Sequence, residues 1–437
     1  MRQNPATALH RSAILAVMTI GLSAATFGLS ACTAAPVSTA SPSPTASDDA
    51  AATCLGVAPE AVVSAELPAT AATGDLDLAD ELHDAAEQGL ALASAPGAIV
   101  GVRTPEGTWI EAFGDADPTT GTSATAEDFT RVGSITKTFT SSLILQLVED
   151  GELSLDDTID QYVDGVQNGD EVTIRMLLNM TSGIPSYTAD DAMTTRLFAD
   201  PTQPWTPEEL LSYGLGMPPL SDPGTQFNYS NTNYVLLGTV IEQVTGRPYP
   251  EVLQSEILEP LGLEDTYFPD TNGMPDPHLS GFSLQGTPAD SQEPVETTNW
   301  SPTSAWTAGQ VISNIDDMLE WGRVLSTGQG ILDEDMAVER LEAIPAEGGY
   351  GYGNGCIAGW VGHTGDIEGY NTTVYHHTAS DSTIVVLVNS DIPSGDCSDS
   401  KTLADNTTGV PCMFPAVRVF AEVSDALGHP FTPLPMS

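Results

Sequence analysis

The sequence predicts an α+β fold, with an antiparallel sheet built from both chain ends, flanked by helices, and a mostly helical region inserted in its middle. Three observations carry this expectation. A pair of strand-like runs follows Pro96-Gly97, a second pair begins at Tyr370, and the stretch from Leu153 to Trp321 holds mostly helical and loop-like segments rich in Pro and Gly.

The chain opens with Arg2 and Arg11 ahead of an apolar run from Ile14 to Leu29. That run is short for a membrane span but has the length and basic flank of a signal peptide, so residues 1–31 are expected to be removed. Leu29-Ser30-Ala31-Cys32 resembles the lipobox of bacterial lipoproteins, which implies lipidation of Cys32. A diacylglyceryl group there supplies the two acyl chains that stable anchoring requires. The expected location is the extracytoplasmic face of a membrane. Residues 32–74, rich in Ala, Ser, Pro and Thr, are expected to form a flexible tether, leaving 75–437 as the folded domain. Apart from Cys32, the chain has Cys54, Cys356, Cys397 and Cys412. In an oxidising compartment these predict two disulfides, with three connectivities open.

Within the domain, Leu78, Leu82, Ala85 and Leu90 recur at helical spacing between Asp75 and Ala95, and Pro96-Gly97 stops the pattern. Ala98 to Val102 and Thr108 to Phe113 flank the turn Thr104-Pro105-Glu106-Gly107 and predict a hairpin. A helix follows Ser134, with Phe139, Leu143, Ile144, Leu147 and Val148 on one face and Gly151 to end it. Another carries Leu237, Val240, Ile241 and Val244 and ends at Gly246. Tyr370 to His376 and Thr383 to Asn389 predict the second strand pair, and Ala416 to Leu427 a final helix.

The chemistry-bearing residues lie at the boundaries of these elements. Ser134 and Lys137 are three residues apart at a helix start, so the amine can reach the hydroxyl, and the helix N-terminus favours negative charge on a substrate oxygen. The S-x-x-K pattern also occurs at Ser398 and Lys401, but no apolar periodicity follows it there, and the segment reads as a solvated loop. Tyr229-Ser230-Asn231 sits between the turn Ser221-Asp222-Pro223-Gly224 and a helix, placing a phenol and an amide two residues apart. His363-Thr364-Gly365 lies just before the C-terminal strand pair, where Gly365 permits close backbone approach.

Composition excludes several functions. The chain has 60 acidic and 12 basic residues, a formal net charge of −48, which repels nucleic acid. His376-His377 is adjacent rather than spaced for one helix face, and no H-E-x-x-H occurs, so neither metal nor cofactor is expected. The expected state is a monomer.

Ser134-x-x-Lys137, Tyr229-Ser230-Asn231 and His363-Thr364-Gly365, in this order, resemble the serine D-alanyl-D-alanine carboxypeptidases and class C β-lactamases of the penicillin-recognising family. The similarity extends through Arg131 to Asp157, Asp222 to Gly246 and Gly362 to Tyr370. It implies a β-lactamase-like fold and an acyl-enzyme on Ser134, with Lys137 and Tyr229 sharing the proton work. It further implies an oxyanion hole from the backbone N–H groups of Ser134 and Asp366, Asn231 and Thr364 on the substrate's amide and carboxylate, His363 beside them, and Trp306 lining the cleft. One departure stands out. The carboxypeptidase branch usually has an Arg in the strand before this last motif, but Tyr350 to Cys356 contains none, removing a bidentate carboxylate clamp. The expected function is an exported serine acyl hydrolase, D-alanyl-D-alanine carboxypeptidase-like, acting on cell-wall peptides or other small acyl substrates. The alternatives are an esterase or β-lactamase on the same site, or a penicillin-binding lipoprotein without turnover.

Overall fold

The computed structural model describes residues 53–433, except 69, 70, 72, 73 and 399. The expected signal segment, Cys32 and most of the expected tether lie outside the described residues. The described residues form one compact unit. Among the described residues, eight strands form one antiparallel sheet in the order β3-β2-β1-β8-β7-β6-β5-β4. They are β1 (Gly97–Thr104), β2 (Gly107–Asp117), β3 (Thr122–Ser123), β4 (Gly349–Tyr350), β5 (Gly355–Ile357), β6 (Trp360–Ile367), β7 (Tyr370–His377) and β8 (Ser382–Val388). The sheet is therefore built from both chain ends: β1 pairs with β8 from Ala98 opposite Val388 to Arg103 opposite Thr383. This is an α+β, β-lactamase-like arrangement.

One sheet face is covered by two helices, α2 (Ala79–Ala93) and the last helix, α8 (Pro415–Ala426). Leu82 and Ala86 meet Val419, Phe420 and Val423 over Val100, Val386 and Val388. Alternate strand residues point to opposite faces, so Ile99, Val385 and Leu387 join the larger core on the other side. There α6 (Ile315–Thr327) lies on the sheet, and behind it are α3 (Thr136–Glu149) and α5 (Asn231–Thr245). Phe139 of α3 stacks on Trp321 of α6 at 3.9 Å between ring centroids. The inserted region is mostly helical, including α4 (Asp191–Ala199). It also holds two short strand pairs, Thr130–Arg131 with Ile312–Ser313 and Phe282–Ser283 with Val295–Glu296.

Several boundaries differ from the sequence expectation. The first helix is shorter, because Ser94 takes a left-handed φ of 54° ahead of Pro96. His363-Thr364-Gly365 does lie before the strand pair, but inside a further strand, β6, whose small and polar residues hide its period.

The expected tether ends well before residue 74. Cys54 is bonded to Cys356 of β5, and Leu55, Val62 and Val63 are buried. A short helix, α1 (Pro59–Val63), packs against α7 (Glu334–Glu342). Gln329 Nε2 donates to the Val63 carbonyl at 2.9 Å, and Arg323 Nη2 donates to that of Ala65 at 2.7 Å. A covalent bond and two buried valines thus hold a segment whose Ala-rich composition reads as unstructured.

The second disulfide joins Cys397 to Cys412. Two such bonds match an oxidising, extracytoplasmic setting. No helix among the described residues is long and apolar enough to cross a membrane.

Candidate active site

The site forms where the start of α3 abuts the end of β6. Val132 N donates to Val311 O at 3.0 Å, and a single 3₁₀ turn, Gly133–Ile135, carries the chain into α3. Gly133 has a φ of +53°, and a Cβ there would stand 2.8 Å from the Asp366 backbone nitrogen. At Gly365 a Cβ would fall 2.0 Å from Val132 O. Two glycines therefore let two backbones touch, which brings the half-buried Ser134 beside the Asp366 amide.

Lys137 follows one turn later and is fully buried. Its Nζ lies 2.9 Å from Ser134 Oγ and donates to Ala308 O at 2.7 Å. The turn that presents Ala308 begins at Trp306, whose φ of +39° is a left-handed conformation. Thr307 anchors that turn: its Oγ1 donates to Tyr234 O at 2.8 Å, and its carbonyl accepts from Thr140 Oγ1 at 2.8 Å. Burial holds the Lys137 amine well below the ordinary lysine range, with no carboxylate opposing the shift.

Tyr229 stands over this pair, with Lys137 Nζ 5.1 Å from its ring centroid. Its surroundings push the phenol above the ordinary tyrosine range, a shift the contact with Ser134 partly opposes. The ring is nevertheless 39% exposed, so one edge faces solvent in the cleft. Asn231 begins α5 and, with Ser134, lines a cavity of about 280 Å³.

Ser134, Lys137, Tyr229, Asn231 and the Asp366 backbone are thus brought together, although they come from three separate stretches of chain. Thr364 is half-buried on β6, opposite Thr373.

His363 is placed differently from the expectation of a substrate ligand. It is 6% exposed, and both ring nitrogens are engaged inside the protein, Nε2 with Tyr350 Oη at 3.0 Å and Nδ1 with Thr364 O. Because a carbonyl only accepts, Nδ1 carries the proton and Nε2 accepts from the Tyr350 hydroxyl. Burial first, then the charge of Lys137, lowers the His363 pKa to about 3. The ring is neutral in ordinary buffers and is no cationic clamp for a carboxylate.

Trp306 is the residue expected to line the cleft. Its ring is buried in the core against Tyr249, 6.3 Å away, and it is the flanking Ala305, Ala308 and Gly309 that line the cavity. Lys401 lies in an irregular, partly exposed loop, and its Nζ donates to the carbonyls of Leu284, Thr287 and Pro288.

Sequence reasoning missed Tyr350, Tyr187, Ala308 and Gln285. Tyr187 lines the cavity, its hydroxyl donating to Ser304 O at 2.7 Å. Their only signal is position in the fold, since Ala308 acts through a carbonyl and Gln285 sits in an irregular loop. Among the described residues, no group of three or more His, Cys, Asp or Glu is arranged to hold a metal.

A nucleophile-sized hydroxyl beside a buried amine, at a helix start facing a strand edge, defines a serine hydrolase type of site. Residues 82–407 match the family model described as Beta-lactamase, and the chain belongs to that family. It is similar to a D-stereospecific amidohydrolase from Streptomyces sp., with a TM-score of 0.65 and 31% identity over 71% of this chain and 94% of that one. A D-amino acid amidase from Ochrobactrum anthropi SV3 shares the fold, with a TM-score of 0.68 and 23% identity over 81% of this chain and 98% of that one. Protein flp of Staphylococcus aureus (strain N315) is 28% identical over 274 residues, covering 59% of this chain and 52% of that protein. The chain spans about half the length of the curated relatives it matches.

Proposed function

We propose that the protein is a serine acyl hydrolase whose substrates are small amides or esters without a free carboxylate at the scissile end. The observation that carries this reading is the Lys137 amine, dry and depressed in pKa, 2.9 Å from Ser134 Oγ. In its neutral form the amine offers a lone pair to the Ser134 hydroxyl while keeping its bond to Ala308 O. Ser134 then attacks the carbonyl, its proton passes to Lys137, and Tyr229, protonated at neutral pH, relays a proton to the leaving nitrogen or oxygen. The amides of Ser134 and Asp366 receive the oxyanion, worth roughly 3 kcal/mol per donor in comparable sites. Asn231 is placed to hold the substrate amide, and water completes the turnover.

The acyl group rather than a terminal carboxylate defines the substrate because, among the described residues, no Lys or Arg lines the cavity over Ser134. Arg131 is buried, and its Nη2 donates to the carbonyls of Asn272, Thr298 and Trp300. His363 is neutral. Likeness to an amidohydrolase supports the same choice. A D-alanyl-D-alanine carboxypeptidase is the second reading, resting on the three motifs. An exported protein anchored through Cys32, with the catalytic domain beyond a tether, remains part of the proposal.

Ser134→Ala should abolish both hydrolysis of a short-chain ester and covalent labelling by a fluorescent penicillin. Label retained by the variant would move the nucleophile elsewhere. A strong preference for D-Ala-D-Ala peptides over their C-terminal amides would favour the carboxypeptidase reading.

A further inference from the structure

The cleft continues past Ser134. Asp366 is exposed and lines both the cavity over Ser134 and a second of about 360 Å³, and Phe198 and Gln285 line both as well. The second cavity is largely apolar, walled by Leu284, Ile392, Pro393 and Phe414. Its floor is acidic. Asp391 is 4% exposed, and its Oδ2 accepts from Ser283 Oγ at 2.8 Å and Gln285 Nε2 at 2.6 Å. Burial pushes the Asp391 carboxyl above its ordinary range, the donors from Gln285, Ser283 and Gly369 oppose that shift, and Oδ1 has no hydrogen-bond partner. Glu368 adds a third carboxyl, at the wall of the first cavity.

Among the described residues no cation forms an ion pair with these groups, although the charge of Arg131 partly offsets that of Glu368. Lys137 and Arg131 are held by their own partners, as described above. Lys401 borders the second cavity, but its donors point into the carbonyls of Leu284, Thr287 and Pro288. Crowding by the cleft walls, and then the charges of Asp391 and Glu368, push the Asp366 carboxyl well above its ordinary range. A positive charge arriving here meets three carboxyls that Arg131 offsets only in part.

Building on the acyl hydrolase reading, we propose that the floor formed by Asp366, Glu368 and Asp391 is a subsite for a protonated amine on the substrate's acyl group. The ammonium meets Asp366 and Glu368 beside the carbonyl that Ser134 attacks, and an apolar side chain extends over Phe198 toward Phe414. The preferred substrates are accordingly amino acid amides or esters with a free amine, rather than N-acylated ones.

The test compares kcat/KM of the full chain on phenylalanine amide and N-acetyl-phenylalanine amide, in both enantiomers, at pH 7 and low salt. The free amine should be preferred at least about tenfold in one enantiomer. Asp366→Asn and Glu368→Gln should shrink that ratio mainly through KM, and added salt should shrink it too. Equal rates, preference for the acetylated compound in both enantiomers, or a ratio untouched by either variant would overturn the proposal. The wild-type ratio decides the matter even where a variant folds poorly. Ser134→Ala, run in parallel, separates the two readings: turnover that persists there defeats the nucleophile assignment, whereas loss of all turnover with a ratio near one defeats only the amine subsite.

Discussion

Lys137 has no carboxylate partner, and that shapes what the site can do. A buried ammonium without a counter-charge is costly, so the neutral amine gains population at a pH where a surface lysine stays charged. With the amine as base, kcat/KM rises with pH through the Lys137 pKa, and the acid limb falls below the ordinary lysine range. An acid limb near 10.5 in the pH–rate profile would contradict this, since that is where an unburied lysine titrates. Lys137→Arg keeps the charge and cannot deprotonate, so we expect a loss on the order of 10²- to 10⁴-fold in kcat. His363 contributes no limb between pH 5 and 8 because its pKa is already held near 3. The Ser134 and Lys137 pair was legible in the sequence because three residues on a helix fix a distance. The charge state of His363 was not, because it depends on burial and on Lys137, which only the fold brings near it.

The contact between α3 and β6 is where element-scale packing becomes chemistry. Gly133→Ala would place a methyl group 2.8 Å from the Asp366 nitrogen and a side chain at φ +53°. We expect a stability loss of about 1–3 kcal/mol, and a fall in kcat larger than any rise in KM, as the expected oxyanion donors are pushed apart. A variant with wild-type kcat would mean that this contact is merely structural. At the same scale, the sheet pairs and flanking helices could be read from the sequence because buried valines in strands and leucines at helical spacing repeat with a period. The Ala308 turn and the Leu284–Pro288 loop could not. Their function lies in carbonyl directions and in one lysine that reaches across the fold, and neither leaves a periodic trace.

Across the whole molecule, two disulfides do unequal work. Cys54–Cys356 closes 302 residues and Cys397–Cys412 closes 15. Loop-closure entropy assigns about 6 kcal/mol to the first and about 3 kcal/mol to the second. Cys54→Ser with Cys356→Ser should therefore lower Tm more than Cys397→Ser with Cys412→Ser, as measured by thermal unfolding under non-reducing conditions. The opposite order would show that the α1 segment holds by packing alone.

The pairing of β1 with β8 has a further consequence, one of timing. In a chain emerging from the ribosome, Val388, which lies opposite Ala98, follows it only 290 residues later. Until then β1 and β2 make an isolated hairpin with an unclaimed edge, and hairpins of that kind are marginal in water. Closing so long a loop is slow, so α3, which follows the proposed nucleophile, is made long before the sheet that completes the site. The nascent protein is thus catalytically silent and still threadable until nearly its last strand has been made.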